Sequence, residues 1–160
     1  MRAATTERLT LRDYRPEDFE ALLTLDQVCF PAEVACLNAD MKAAVESEQA
    51  LCLVAERVAV GIAGFVLAST RQQQVGHVVT LDVAPQVRRA GIGERLMREA
   101  ERRLGERGIW RLRLEVGASN VAAQRLYEKL GYKQTGFIQH YYGDGGDAWV
   151  MEKCCGAGGQ

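Results

Sequence analysis

The sequence has few of the features that mark membrane, secreted or nucleic-acid-binding proteins. The 160-residue sequence contains no apolar run that approaches the roughly 20 residues that a membrane helix needs. Its N-terminus lacks the apolar core of a signal peptide. The formal net charge is −1, which supplies no basic field for nucleic acid or an anionic membrane. We therefore expect a cytoplasmic protein that binds neither.

Histidine, proline and paired cysteine motifs are also scarce. The chain has two histidines and five cysteines without a Cys-x-x-Cys pair, so we predict no metal site. An odd number of cysteines favours reduced thiols over a disulfide framework. No repeat or long linker divides the chain, and its length suffices for one sizeable core. We predict a single domain over residues 1–155 and a disordered glycine-rich tail over 156–160.

Hydrophobic periodicity predicts alternating strands and helices along the chain. Strands are expected at 9–14, 51–56, 58–69, 75–83, 110–116, 133–142 and 148–153. Helices are expected from Pro16 to Phe30, from Asn38 through Val45, at about 94–107, and from Ser119 or Asn120 to about Leu130. The third helix is the clearest, with one apolar face made of Ile92, Leu96, Met97, Ala100 and Leu104.

The stretch Leu81–Glu94 carries the strongest indication of a ligand-binding site in the sequence. It reads as a strand, a glycine-containing loop and the start of a helix. Gly91 and Gly93 lack a Cβ, so a ligand can lie against the backbone, and N–H groups at a helix start favour anions. Arg88 and Arg89 add positive charge, which predicts a place for a diphosphate. Neither the Rossmann nor the Walker pattern is present, so an ordinary turn between strand and helix is the alternative.

Two motifs resemble those of the GNAT acetyltransferase superfamily. The first, after a strand and before an amphipathic helix, is Arg88-x-x-Gly91-x-Gly93, which is similar to the coenzyme A pyrophosphate loop. The second is Asn120-x-x-Ala123-x-x-x-Tyr127-x-x-x-Gly131-Tyr132. Together with His140-Tyr141-Tyr142 and residues 147–151, they look most like the RimI-type branch, which acetylates N-terminal α-amino groups of proteins. The resemblance covers roughly residues 9 to 153.

The resemblance implies an α/β fold of the α+β type. Its mixed, mostly antiparallel central sheet has about seven strands, is flanked by about four helices, and splays open between the strands at 77–83 and 110–116. Acetyl-CoA is expected in that wedge, with backbone groups of the first strand pairing the pantetheine arm. The implied cofactor residues are Leu81, Asp82, Val83, Arg88, Arg89, Ala90, Gly91, Ile92, Gly93, Glu94, Asn120 and Tyr127. The implied acceptor residues are Phe30, Pro31, Tyr141 and Tyr142.

The resemblance also assigns the two catalytic roles. Glu115 matches the base that deprotonates the attacking amine, and its alternative is a surface glutamate paired with Arg111 or Arg113. Tyr127 matches the acid that protonates the leaving thiolate, and its alternative is a helix tyrosine packed at the sheet edge. Asn120 is expected near the thioester, with a plain helix cap as the alternative.

The sequence therefore predicts acetyl transfer from acetyl-CoA to an amine by direct attack in a ternary complex, because no cysteine sits in a nucleophile motif. The expected acceptor is a protein N-terminus. Ala32 and Glu33 stand where relatives often carry a larger aromatic, and this departure bears on peptide specificity. Two other functions stay open: acetylation of a small-molecule amine, and a non-catalytic acyl-CoA sensor. We expect a monomer or weak homodimer.

Overall fold

The structure is a computed structural model that describes residues 8–32, 35, 38–71, 74–143 and 145–155. Within these residues the strands are β1 (Leu9–Asp13), β2 (Ala50–Arg57), β3 (Gly61–Ser69), β4 (Val75–Val83), β5 (Arg111–Gly117), β6 (Lys133–Ile138) and β7 (Ala148–Cys154). The helices are α1 (Phe19–Cys29), α2 (Asn38–Glu46), α3 (Ile92–Glu106) and α4 (Val121–Lys129). The predicted tail, residues 156–160, lies outside the described residues.

The strands form one sheet in the order β1-β2-β3-β4-β5-β7-β6. β1 to β4 are an antiparallel meander, as predicted, and β5, β7 and β6 are antiparallel as well. β4 and β5 pair in parallel and join the two halves. The predicted mixed, mostly antiparallel sheet with four flanking helices is confirmed.

The sheet opens between β4 and β5. These strands pair only from Val75–Arg111 to Val78–Leu114, although β4 continues to Val83 and β5 to Gly117. A β-bulge in β4 against Leu67 and Ala68 coincides with the end of this pairing, and bulges bend and twist a strand. The predicted wedge is therefore present, and the backbone of β4 beyond Val78 has no β5 partner.

Both faces of the sheet are covered, which explains why β3 reads as a continuous apolar run. On one face α3 buries the predicted stripe, with each of its five residues at most 1% exposed. On the other face α1 and α2 pack Leu22 and Met41 against Phe65 and Leu67. No helix in the described ranges combines the length and the apolar character that crossing a bilayer requires.

Three predicted boundaries are wrong by three or more residues. β6 ends at Ile138 rather than at Tyr142, because His140 adopts a left-handed φ of 53° and its N–H donates to the side chain of Asp147. The third strand begins at Gly61 rather than at Val58, since the preceding residues form a turn. Pro16 opens a single 3-10 turn, and the α-helix starts at Phe19.

Candidate active site

The loop between β4 and α3 leaves the first-turn N–H groups of α3 without a side-chain cap. α3 begins at Ile92, and Gly91 occupies its N-cap with a φ of 77°, a conformation that favours glycine. Because glycine has no side chain, it does not cap the first-turn N–H groups. A Cβ placed on Gly91 would meet no atom within 4 Å. The loop thus presents free donors to open space, which fits a bound diphosphate.

A cavity runs from this loop to the opening in the sheet, and we call it the cofactor cavity after the predicted residues that line it. The predicted cofactor residues that line it are Leu81, Val83, Arg88, Arg89, Gly91, Ile92, Gly93, Glu94, Asn120 and Tyr127. Cys29, Ala122, Ala123, Leu126 and Lys129 also line it, and we did not predict them. The carboxylate of Glu94 accepts from Arg98 and Lys129, so its negative charge is offset beside the loop.

Two of the predicted cofactor residues, Asp82 and Ala90, do not line this cavity. Ala90 is exposed on the loop. The side chain of Asp82 is 1% exposed and points into the layer under α1, where Thr80 donates to it. The prediction for Asp82 concerned its backbone groups, so the burial of its carboxyl group does not bear on that prediction.

A second cavity meets the first at Tyr127, and we call it the acceptor cavity because the predicted acceptor residues Phe30 and Tyr142 line it. Its walls include Phe30, Glu115 and Tyr142. The two cavities share five lining residues, which are Phe30, Leu81, Asn120, Ala123 and Tyr127. Glu115 reaches it from β5 and Tyr127 from α4. The structure therefore brings the predicted acid and the predicted base to one cavity.

Tyr127 keeps its hydroxyl group available. The side chain is buried, and its ring packs edge-on against Tyr132 with 5.8 Å between centroids. The hydroxyl makes no hydrogen bond with any residue that the structure describes. Burial raises the pKa of the Tyr127 hydroxyl above its ordinary value, so the group holds its proton at neutral pH.

Glu115 is tied to a histidine that the sequence analysis missed. Nε2 of His77 lies 2.6 Å from Oε2 of Glu115, and Nε of Arg113 lies 3.4 Å from Oε1. Arg111 pairs with Glu152 instead. Burial acts to raise the pKa of Glu115, but the contacts with His77 and Arg113 outweigh it, so the pKa lies below its ordinary value. Glu115 is therefore ionised at neutral pH.

The sequence matches the model of the acetyltransferase (GNAT) family over residues 14–132. The chain belongs to the acetyltransferase (GNAT) family. The resemblance read from the two motifs is confirmed, and the positions of the glycine loop, Asn120 and Tyr127 all fall within the matched residues.

Similar proteins agree with this family membership. The N-alpha-acetyltransferase of Sulfurisphaera tokodaii is 43% identical over 77 residues, which cover 48% of this chain and 46% of that protein. The chain matches about half the length of such curated relatives.

Solved structures match more of the chain. The ribosomal-protein-S18-alanine N-acetyltransferase from Escherichia coli superposes with a TM-score of 0.83 at 25% identity, covering 94% of this chain and 96% of that one. Ard1 from Thermoplasma volcanium gives a TM-score of 0.84 at 25% identity, covering 93% and 99%. The predicted GNAT fold is confirmed by both.

Of the remaining predicted residues of this GNAT chain, Asn120, Phe30 and Tyr142 line the cavities, whereas Pro31 and Tyr141 do not. Oδ1 of Asn120 accepts from the N–H of Ala123 at 3.2 Å, so Asn120 caps α4 while it also lines both cavities. Tyr142 lines the second cavity, and Tyr141, 44% exposed, packs edge-on against it. Pro31 is exposed beyond Phe30. Their contacts with an acceptor remain a prediction.

The glycine loop gives a first testable prediction. We expect Gly91→Val to weaken acetyl-CoA binding by about tenfold or more, because the new side chain fills the space before the N–H groups and charge-assisted hydrogen bonds are each worth about 1.5–3 kcal/mol. Titration calorimetry measures this affinity.

A matched control separates ligand exclusion from backbone strain. Gly61 also has a positive φ, 76°, and a Cβ there would also meet nothing within 4 Å, but it is the first residue of β3, directly after the turn that follows β2. Gly61→Val should therefore cost similar stability and leave acetyl-CoA affinity unchanged. A folded Gly91→Val protein with wild-type affinity would remove the loop from the cofactor site.

Proposed function

We propose that the protein transfers the acetyl group of acetyl-CoA to an amine in a ternary complex, and that the amine is the N-terminal α-amino group of a protein. The observation that carries this proposal is the meeting of Glu115 and Tyr127 at one cavity, where the opened sheet adjoins the glycine loop. A module that only senses acyl-CoA needs neither of these side chains there.

The residues present fit acetyl-CoA. The first-turn N–H groups of α3 and the side chains of Arg88 and Arg89 face the same cavity and suit the phosphates. Leu81 and Val83 lie on β4 beyond its last pairing with β5, so that edge of the strand can bind the pantetheine amides. When bound, acetyl-CoA supplies an acetyl group activated as a thioester.

The pair Glu115 and His77 is placed to take the proton of the amine. A carboxylate can only accept hydrogen bonds, so the proton between the two groups belongs to Nε2 of His77. This bond fixes the carboxylate, and the ionised Glu115 attracts an ammonium group. An α-amino group has a pKa of about 7.7–8.0, so removing its proton near neutral pH demands little of the base. The proton passes to Glu115 directly or through a water.

Tyr127 is placed to give a proton to the sulfur that leaves. Its hydroxyl is protonated and has no partner among the described residues, so it is free to donate at the junction of the two cavities. A thiolate released there gains a hydrogen bond or a proton that it would otherwise lack.

Direct attack is favoured over an acetyl-enzyme. Cys29 lines the cofactor cavity, and its Sγ lies 3.4 Å from the carbonyl oxygen of Val83. Burial raises the pKa of the Cys29 thiol, so the nucleophilic thiolate is disfavoured at neutral pH.

Release of free thiol from acetyl-CoA, measured with a panel of acceptors, tests this function. A peptide with a free N-terminus should react, and the same peptide with a blocked N-terminus and an internal lysine should react at least about tenfold more slowly near neutral pH, because lysine titrates near 10.4. The curated relatives that are N-alpha-acetyltransferases support this preference.

The other acceptors decide between the alternatives. Faster release with a polyamine or free amino acid than with any peptide would replace the peptide by a small amine. Tight binding of acetyl-CoA without thiol release, with every acceptor, would instead indicate a sensor.

A further inference from the structure

Two buried carboxyl groups meet between helix α1 and the sheet. Asp26 on α1 and Asp82 on β4 are each 1% exposed. Thr80 donates to Oδ1 of Asp82 at 2.5 Å, whereas Oδ2 is buried without a donor among the described residues. The carboxyl group of Asp82 lies against that of Asp26. Neither side chain has a role in the proton transfers proposed above.

The bulge in β4 creates this meeting. Leu67 pairs with Thr80 and Ala68 with Val78, so Val79 is the extra residue. Beyond it Thr80 and Asp82 share one face of the strand, and Asp82 pairs with Phe65, which packs in the α1 and α2 layer. An apolar layer therefore surrounds the carboxyl groups.

Two ionised carboxylates in contact within such a layer would repel each other and remain desolvated. Arg88 is the basic side chain that acts on Asp82, but it is exposed and its Nε donates to the carbonyl oxygen of Val83. One proton held between the carboxyl groups removes the repulsion and supplies the donor that Oδ2 lacks.

We propose that Asp26 and Asp82 share one proton, and that this pair positions the end of helix α1, and with it the acceptor-side residue Phe30, against strand β4. Asp26 lines the acceptor cavity, and its carbonyl oxygen accepts from the N–H of Phe30 at 3.0 Å. A displacement of Asp26 therefore moves Phe30. Both aspartates are positioning residues, and only the kinetic consequence rests on the proposed function.

The electrostatics of the pair agree with this geometry. Burial and the adjacent Asp26 carboxyl group raise the pKa of Asp82 far above its usual range. Among the described residues, the polar, titratable and charged groups that face the pair include Cys29 of α1, Cys52 of β2, Thr80 of β4, Arg88 of the following loop and Tyr127 of α4. Burial raises the pKa of Cys52 to about 12, and it also raises the pKa of Cys29 and of Tyr127. These three groups therefore stay neutral and do not compensate a second negative charge.

The shared proton has a stability consequence whose sign is fixed. The folded protein keeps a proton on Asp82 that the unfolded chain releases near pH 3.9, so the stability that this proton confers is complete below about that pH and falls as pH rises toward the raised folded pKa of Asp82. In Asp82→Asn, the amide donates to Asp26 without titrating. The melting temperature of this variant should therefore decline less than that of the wild type between about pH 5 and 9.

Infrared spectroscopy and melting curves test the proton without any acetyl transfer. The wild type at neutral pH should show the carbonyl stretch of a protonated carboxylic acid, and Asp82→Asn should lose it. Asp40→Asn, at an exposed aspartate on α2, is the matched control and should retain it. Should Asp82→Asn fail to fold, Asp26→Asn is the second variant, in which the amide donates from residue 26 to Asp82. The presence or absence of the carboxylic acid band in the wild type also decides by itself whether a carboxyl group is protonated. Absence of that band, or identical pH dependence of melting in a folded Asp82→Asn protein, overturns the proposal.

The kinetic arm separates positioning from the function itself. In Asp82→Ala the acceptor KM should rise about tenfold or more, by a larger factor than any fall in kcat, and Asp82→Asn should restore KM. Normal acceptor KM in a folded Asp82→Ala protein would overturn the positioning role. A wild-type protein without acetyl transfer would refute the proposed function while the infrared and melting results still decide the shared proton.

Discussion

Replacing Tyr127 with phenylalanine should lower kcat by about 10²–10⁴-fold, the range of general acid–base effects. The hydroxyl group is buried, retains its proton and makes no hydrogen bond with a described residue, so its removal leaves no new unpaired group. The ring of phenylalanine can keep the edge-on packing against Tyr132. Acetyl-CoA affinity should accordingly stay near the wild-type value, as measured by calorimetry, while the chemical step measured in a single turnover slows.

Tyr132→Phe is the matched control for this change. Its ring neighbours that of Tyr127, but its hydroxyl donates to Glu101 of α3 at 3.0 Å, on the side away from the cavities. The variant should lose about 1.5–3 kcal/mol of stability with this hydrogen bond to a carboxylate and keep its turnover. A Tyr127→Phe protein as fast as the wild type in the chemical step would make Tyr127 a packing residue.

Features set by local periodicity were predictable from the sequence. The apolar stripe of α3 repeats every three or four residues, and each of its predicted members is buried. The glycine loop was predictable for a similar reason, because Gly91 must adopt a positive φ at the helix start. Each of these features depends on neighbours within one or two turns of chain.

Features that depend on distant residues were not predictable. His77 contacts Glu115 across the parallel pair of β4 and β5, 38 residues away. β6 ends early because a side chain of the following turn binds the backbone of His140. The burial of the Asp82 side chain follows from the bulge at Val79, which shows only in the register against β3. A histidine on the strand that pairs with the one carrying Glu115 is a signal that a pairing prediction could have used.

Replacing Glu115 with glutamine should lower kcat/KM for a peptide with a free N-terminus by about 10²-fold near pH 7, toward the lower end of general-base effects. The amide oxygen can still accept from Nε2 of His77, so the geometry of the pair is kept while the base is lost. Because an α-amino group titrates at about pH 7.7–8.0, raising the pH supplies neutral amine from solution. The deficit should therefore shrink between about pH 7 and 9, and the pH profile of kcat/KM measures it.

The lowered pKa of Glu115 determines how kcat/KM behaves on the acid side of this pH profile. Since the carboxylate ionises below its ordinary pKa, Glu115 should still take the proton of a bound ammonium group below pH 7, so acid should lower wild-type activity less than it lowers the activity of Glu115→Gln. Glu152→Gln is the matched control, because Glu152 lies on the adjoining strand β7 and pairs with Arg111 of β5. This variant should give a wild-type pH profile. Equal kcat/KM for Glu115→Gln and wild type from about pH 6 to 10 would exclude Glu115 as the base, and would leave its bond to His77 as a structural ion pair beside the opening of the sheet.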